Sequence, residues 1–217
     1  LILLKLDTVE TKIKNHIFDK YNVNLKFDKK INYSLLPTPH FLAKEVKIFR
    51  DDKNIADVND LKIFISSYKF FSFNEVFVKD VIFNKTDFNI NKNDMIFFKN
   101  LLKIEPNEHK IIIKNSNIFF KDNEGQVLFI NKINDSKFFY DSKNLQNIFS
   151  SNNEIFNLPF KLLIKNDKFN KKIVSNFNSK KIRLNIDNEI IYGKEIKKGK
   201  TNIRFINKST SFNFEIL

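Results

Sequence analysis

The chain has 217 residues, 42% of them hydrophobic, which is enough for one large domain or two small ones and too apolar for wholesale disorder. The apolar content is unusual in kind: 26 Phe, no Trp, no Cys and one Met, with only three Gly and four Pro. The missing cysteines exclude disulfides, cysteine zinc sites and thiol nucleophiles, while the formal charge of +13 points towards anionic partners.

In chain order, "LILLKL" (1–6) is too short to span a bilayer, which takes about 20 apolar residues. It reads either as a short core or strand segment, or as the end of a transmembrane or signal-anchor helix with Lys5 at the interface. Residues 8–20 predict a helix, because Val9, Ile13 and Ile17 recur on one helical face. Asp7 and Glu10 resemble a capping pair, and Asn22 is a plausible stop. The N-terminal unit is therefore placed at 1–21 and a β domain at 22–217.

After Asn22 the apolar period becomes two. Leu61, Ile63 and Ile65 alternate with polar or outward residues, as do Val76 and Val78, and Ile111 and Ile113. The same pattern holds for Phe160, Leu162 and Ile164, for Ile182, Leu184 and Ile186, and for Phe212 and Phe214. One apolar and one polar face per strand is the mark of antiparallel sheet, here about nine to eleven strands of roughly 6–10 residues. Pro37 and Pro39 keep Leu36 and Thr38 extended, so 34–39 forms a rigid corner before a strand at Leu42–Arg50. Residues 91–103 carry a helix-like spacing of Ile96, Phe97 and Leu101, and the Ser- and Asn-rich 141–157 reads as the main irregular connection and a possible subdivision. A weak repeat links 43–51, 78–86 and 113–122: apolar, Lys, acidic or Asn, then apolar.

The residues offer little catalytic chemistry. His16, His40 and His109 are far apart and in no metal-ligand spacing, and the three glycines are isolated, so no phosphate-cradling loop exists. Acidic residues fall mostly in turns, where solvation is the plainer reading. All but three of the 38 basic residues are Lys, spread along the chain. Specific nucleic-acid recognition leans on the Arg fork, so a solvated face with general attraction to anionic surfaces is favoured. Phenylalanines in adjacent pairs, such as Phe119-Phe120 and Phe138-Phe139, point to opposite faces of a strand and do not build a single base-stacking platform.

The order of a helix, then "VNLKFDKKINYSLLPTPHF", then "LAKEVKIFRDDKNIADVNDLKIFI", "VKDVIF" and "IIIKNSNIFFKD" resembles the N-terminal region of AsmA-like proteins, and "NLPFKLLIKNDKF" is similar to the start of their later meander. The resemblance implies a mainly β fold: an N-terminal amphipathic helix followed by a long, strongly twisted antiparallel meander curled into an open groove. It further implies a non-enzymatic lipid-binding or lipid-transfer segment of a periplasmic protein anchored in the Gram-negative inner membrane. Such a segment shields phospholipid acyl chains and supports outer-membrane lipid homeostasis. The expected partners are acyl chains, the inner membrane through the N-terminal helix, and envelope proteins, with no specific nucleic acid, metal, cofactor or catalytic residue. The alternatives are an envelope assembly module acting through its sheet edge, and a nucleic-acid-binding β protein.

Overall fold

The computed structural model describes residues 6–36, 38–65, 78–94, 110–193 and 197–216. Helix α1 (Leu6–Tyr21) leads into two short strands, β1 (Asn24–Phe27) and β2 (Asn32–Ser34), then β3 (His40–Arg50), β4 (Lys53–Ile65) and β5 (Val78–Asn91). A 3-10 turn at Lys92–Asp94 follows. The second half is β6 (Lys110–Lys121), β7 (Val127–Asp141), β8 (Gln146–Ile155), β9 (Leu158–Asp167), β10 (Lys172–Ser179), β11 (Leu184–Tyr192), β12 (Lys197–Phe205) and β13 (Lys208–Ile216).

All 13 strands belong to one open sheet in chain order, except that β1 and β2 lie end to end along the same edge of β3. They are one broken edge strand, and with β8 in the stretch 141–157 that was expected to be irregular they take the count among the described residues above the nine to eleven expected. The sheet is antiparallel throughout but for one seam: β5 and β6 pair in parallel. Parallel neighbours require a crossover in place of a hairpin. It runs through 92–109, where the expected helix was placed; only the 3-10 turn of that segment lies within the described residues.

The sequence dictates these elements locally. α1 begins at Leu6, so Asp7 stands inside its first turn and not ahead of it as a cap. Glu10 instead pairs with Lys14 at 2.7 Å, one turn on. The helix ends as expected at Asn22, whose φ of 53° is the left-handed conformation Asn tolerates, and its N–H reaches the Phe18 carbonyl at 2.8 Å. The Pro-bearing corner joins β2 to β3, which starts two residues earlier than expected, at His40. The β3–β4 hairpin turns on Asp51-Asp52, both at positive φ, the geometry of a type I′ turn.

Residues 141–157 are not an irregular connection. They form a four-residue hairpin loop and strand β8, and the sheet runs through them without a break. Asn147, Ser151 and Asn153 share a face with Phe149 and Ile155, so polar residues on the apolar side hid the alternation. Ile182 lies in the β10–β11 turn before Arg183, which has a φ of 52°; the strand starts only at Leu184. Val76 lies outside the described residues.

The buried core is concentrated at one end. Ile13 and Ile17 of α1 pack into a cluster with Leu25, Val46, Ile48, Val58, Leu61, Ile63 and Val81 on β1 and β3–β5. Lys14 adds a cation–π contact, 5.1 Å from the centre of the Phe27 ring. From β8 onwards no apolar side chain among the described residues is fully buried.

Candidate functional site

Residues paired across a ladder place their side chains on the same face. The registers therefore trace one face across the sheet. One row runs Ala43, Leu61, Phe83, Ile113, Ser136, Ser151, Leu162, Phe177, Ile186 and Ile203. The next row on the same face is Phe41, Ile63, Val81, Ile111, Phe138, Phe149, Ile164, Ser175, Asn188, Thr201 and Phe212. Neither row contains a charged residue.

The opposite face has the complementary composition. Its row runs Lys44, Asp60, Asn84, Lys114, Asp135, Asn152, Lys161, Asn178, Asn185, Arg204 and Ser209. Neighbours in it are hydrogen-bonded across strands: the Asn84 amide donates to Asp60 at 3.1 Å, Asn152 to Asp135 at 2.7 Å and Asn178 to Asn185 at 3.0 Å. The ion pairs Lys132–Glu154 and Lys198–Glu215, at 3.0 and 3.2 Å, join register partners on this face, and Lys172–Glu189, at 2.9 Å, joins diagonal neighbours on it.

The residues singled out by alternation fall in two groups. Leu61, Ile63, Ile65 and Val78 sit in the same buried cluster as Ile13 and Ile17 of α1, at most 8% exposed, so no ligand reaches them. Ile111, Ile113, Phe160, Leu162, Ile164, Leu184 and Ile186 are on the same face but only half-buried, and Phe212 is 50% exposed with Phe214 beside it. The open part of the apolar face therefore runs over β6 and β8–β13, with Ile133 and Phe138 of β7 buried between them. Phe120, Phe129, Phe149, Phe177 and Ile203 also line it and were missed. Two-residue alternation does mark them, but Ser and Asn at every second or third place weaken the pattern. The rings stack across strands: Phe120 on Phe129 and Phe160 on Phe177, each with centroids 4.9 Å apart.

Small residues sit beneath the large ones. Ser151, Asn153, Ser179 and Thr201 are buried on this face although the apolar side chains beside them are not, and Ser136 is buried beside Ile133 and Phe138. Gly199 lies under the Phe214 ring on the adjacent strand, and a Cβ there would run into that ring.

The carboxylates of β6–β13 stand away from the face, whose titratable groups there are Tyr140, Tyr192, Lys197 and Lys208. Asp141 and Asp167 close the β7–β8 and β9–β10 turns as a repeated D-x-x-N motif. The Asn144 side chain and the Lys143 and Asn144 amides hold the Asp141 carboxyl below its usual range; for Asp167 the Asn170 amide and side chain do the same. His40 stacks on Phe64 at 5.2 Å, with its Nδ1 2.8 Å from the Thr38 carbonyl oxygen, which makes it part of the corner. Among the described residues no three His, Cys, Asp or Glu side chains converge on a metal position, and no helix is long and apolar enough to cross a membrane. Chemically the face can do one thing well, which is to cover apolar chains. The chain matches no known protein-family model and no curated protein.

Proposed function

We propose that the chain is a non-enzymatic lipid-binding segment whose β6–β13 apolar face shelters phospholipid acyl chains, as expected of an AsmA-like periplasmic protein anchored in the inner membrane and serving outer-membrane lipid homeostasis. The observation that carries this reading is the register: it collects Ile, Leu and Phe from eight consecutive strands on one face that holds no acid and has cations only at its ends, Lys197 and Lys208, and among the described residues no second layer of strands lies over it. Covering a chain in this way is energetically ample. At about 0.8 kcal/mol per buried CH₂, a roughly 16-carbon chain gains on the order of 10 kcal/mol on leaving water. The headgroup stays in solvent, so no catalytic or polar recognition group is needed.

The test is lipid extraction and native mass spectrometry of the purified chain, with displacement of a fluorescent acyl-chain probe. Bound phospholipid is expected, and Leu162→Asp with Ile164→Asp should abolish probe binding. Absence of both lipid and probe binding in the parent chain would sink the reading. A second reading rests on β13, which among the described residues pairs on one side only and exposes Phe212 and Ile216. An open edge of this kind can add a partner strand. That assembly role predicts a captured envelope protein and no lipid.

A further inference from the structure

Three turns at one end of the sheet form a continuous rim: Phe156-Asn157 between β8 and β9, 180–183 between β10 and β11, and Ile206-Asn207 between β12 and β13. They are tied to one another. Lys181 Nζ donates to the Asn157 carbonyl at 3.0 Å, and the Ile206 N–H donates to the Arg183 carbonyl at 2.9 Å. With strands about 4.8 Å apart, the tips are held in a line roughly 20 Å long.

Two features of this rim, its lack of acids and its exposed apolar tips, bear on what it can meet. The first is charge. Lys180, Lys181, Arg183, Arg204 and Lys208 are all exposed, and no acid occurs in 155–158, 178–185 or 203–209. The nearest carboxylate along the rim, Glu154, is already held by Lys132 at 3.0 Å. The same end of β3–β7 is mixed in charge, with Asp51, Asp52, Asp122 and Glu124 at its tips beside Arg50, Lys53 and Lys121. The second feature is the choice of tip residue. Phe156 and Ile206 stand at φ of 50° and 55°, positions where Gly or Asn is at ease and a β-branched side chain is an outlier. They are 76% and 50% exposed, and Phe205 beside them is 49% exposed. The left-handed tips thus present large apolar groups to solvent, in the midst of five cations.

We propose that this rim docks the sheet on an anionic phospholipid bilayer. Phe156 and Ile206 enter the interface, and the surrounding Lys and Arg meet the headgroup phosphates. Aromatic and aliphatic tips flanked by cations are the combination an anionic interface binds, by apolar burial together with surface-potential attraction. The docking stands on the rim alone and does not depend on whether the apolar face carries an acyl chain.

The experiment is flotation of the full chain with phosphatidylcholine vesicles, with and without phosphatidylglycerol, at low and high salt. Association is expected only with the anionic vesicles, falling as salt rises. The double variant Phe156→Asn with Ile206→Asn relieves the left-handed strain, so its melting temperature should hold or rise while vesicle partition falls about tenfold. Lys180→Gln with Lys208→Gln should remove most of the preference for phosphatidylglycerol. Equal binding to both vesicle types, or unchanged binding of the Asn variant, overturns the proposal. So does tight, salt-sensitive binding of single-stranded RNA by a chain that ignores vesicles. Leu162→Asp serves as the control: it removes acyl-probe binding and leaves flotation intact, so failure of the rim and failure of the lipid-binding face are read separately.

Discussion

Asp94 closes the far end of β5 with two cations, Lys53 Nζ at 2.7 Å and Arg50 at 3.4 Å, and accepts the Asn91 N–H at 2.9 Å. Burial by itself would raise its pKa. The Lys53 hydrogen bond, the Asn91 amide and the charges of Lys53 and Arg50 outweigh that and hold it below the usual carboxylate range. A carboxyl depressed by folding contributes stability that is present above its unfolded pKa and is lost as pH falls through the folded value. Asp94→Asn is therefore expected to cost about 1–2 kcal/mol at neutral pH. Urea melts should show the gap between parent and variant closing as pH falls below the usual carboxylate range and through the depressed folded value, where both side chains are uncharged. A gap that persists in acid would mean the charge is not what anchors this turn. Sequence gave no hint of this anchor, because Lys53 and Asp94 meet only once β4 and β5 have paired.

At the scale of the strand, the weak repeat acquires a physical meaning. Ala43 and Val46 are three residues apart and both buried, as are Val58 and Leu61, and Val78 and Val81. Phe83 with Thr86, Ile113 with Ser116 and Ile133 with Ser136 follow the same spacing on the same face. Strict alternation would send the second member of each pair to the other side. Each segment instead inserts two polar residues and breaks the pleat between them. Glu45, Lys85 and Asn115 do so at φ of 55°, 53° and 49°, and a register shift at Ile133–Asp135 does so on β7. The breaks at Glu45, Lys85, Asn115 and Ile133–Asp135 align as a transverse line across β3–β7, with that of Val78–Val81 lying apart opposite Phe64–Ile65, and bulged strands bend and twist more strongly. Replacing Lys85 by Gly, which is at ease at positive φ, should raise stability by roughly 0.5–1 kcal/mol, whereas Lys85→Val should lower it by more than about 1 kcal/mol. Thermal melts of the two variants give the comparison, and equal effects would remove the claim that the left-handed residue sets the break. The repeat was visible as composition, but the break was not: a period of two assumes an uninterrupted pleat.

Over the whole molecule, burial divides the sheet. Under α1 the apolar face is sealed; from β8 onwards it is half-open. Ile13→Ala removes a fully buried side chain at the helix–sheet junction and should cost about 2–4 kcal/mol. Ile164→Ala, on the open part of the same face, should cost about 1 kcal/mol or less, because its side chain keeps part of its exposure to water. Denaturant midpoints of the two, with acyl-probe affinity measured beside them, separate a stabilising role from a binding one. If Ile164→Ala proved as destabilising as Ile13→Ala, the open region would be core and not a site.

The residue types alone determined most of this architecture. Two-residue alternation needs only local chemistry, since each strand must turn its Ile, Leu and Phe away from its Lys, Asn and Asp, and that dictated a β protein with one apolar face. The amphipathic helix and its stop at Asn22 were local in the same sense. Three things were decided only in three dimensions. Which part of the apolar face is sealed depends on where α1 lies. The parallel seam between β5 and β6 depends on a crossover whose ends carry no mark of their pairing. The cationic, apolar-tipped rim depends on register, which aligns three turns separated by some twenty residues or more in the chain and brings their side chains to one edge. Alternation specifies faces within a strand; only pairing between strands specifies what those faces and ends become together.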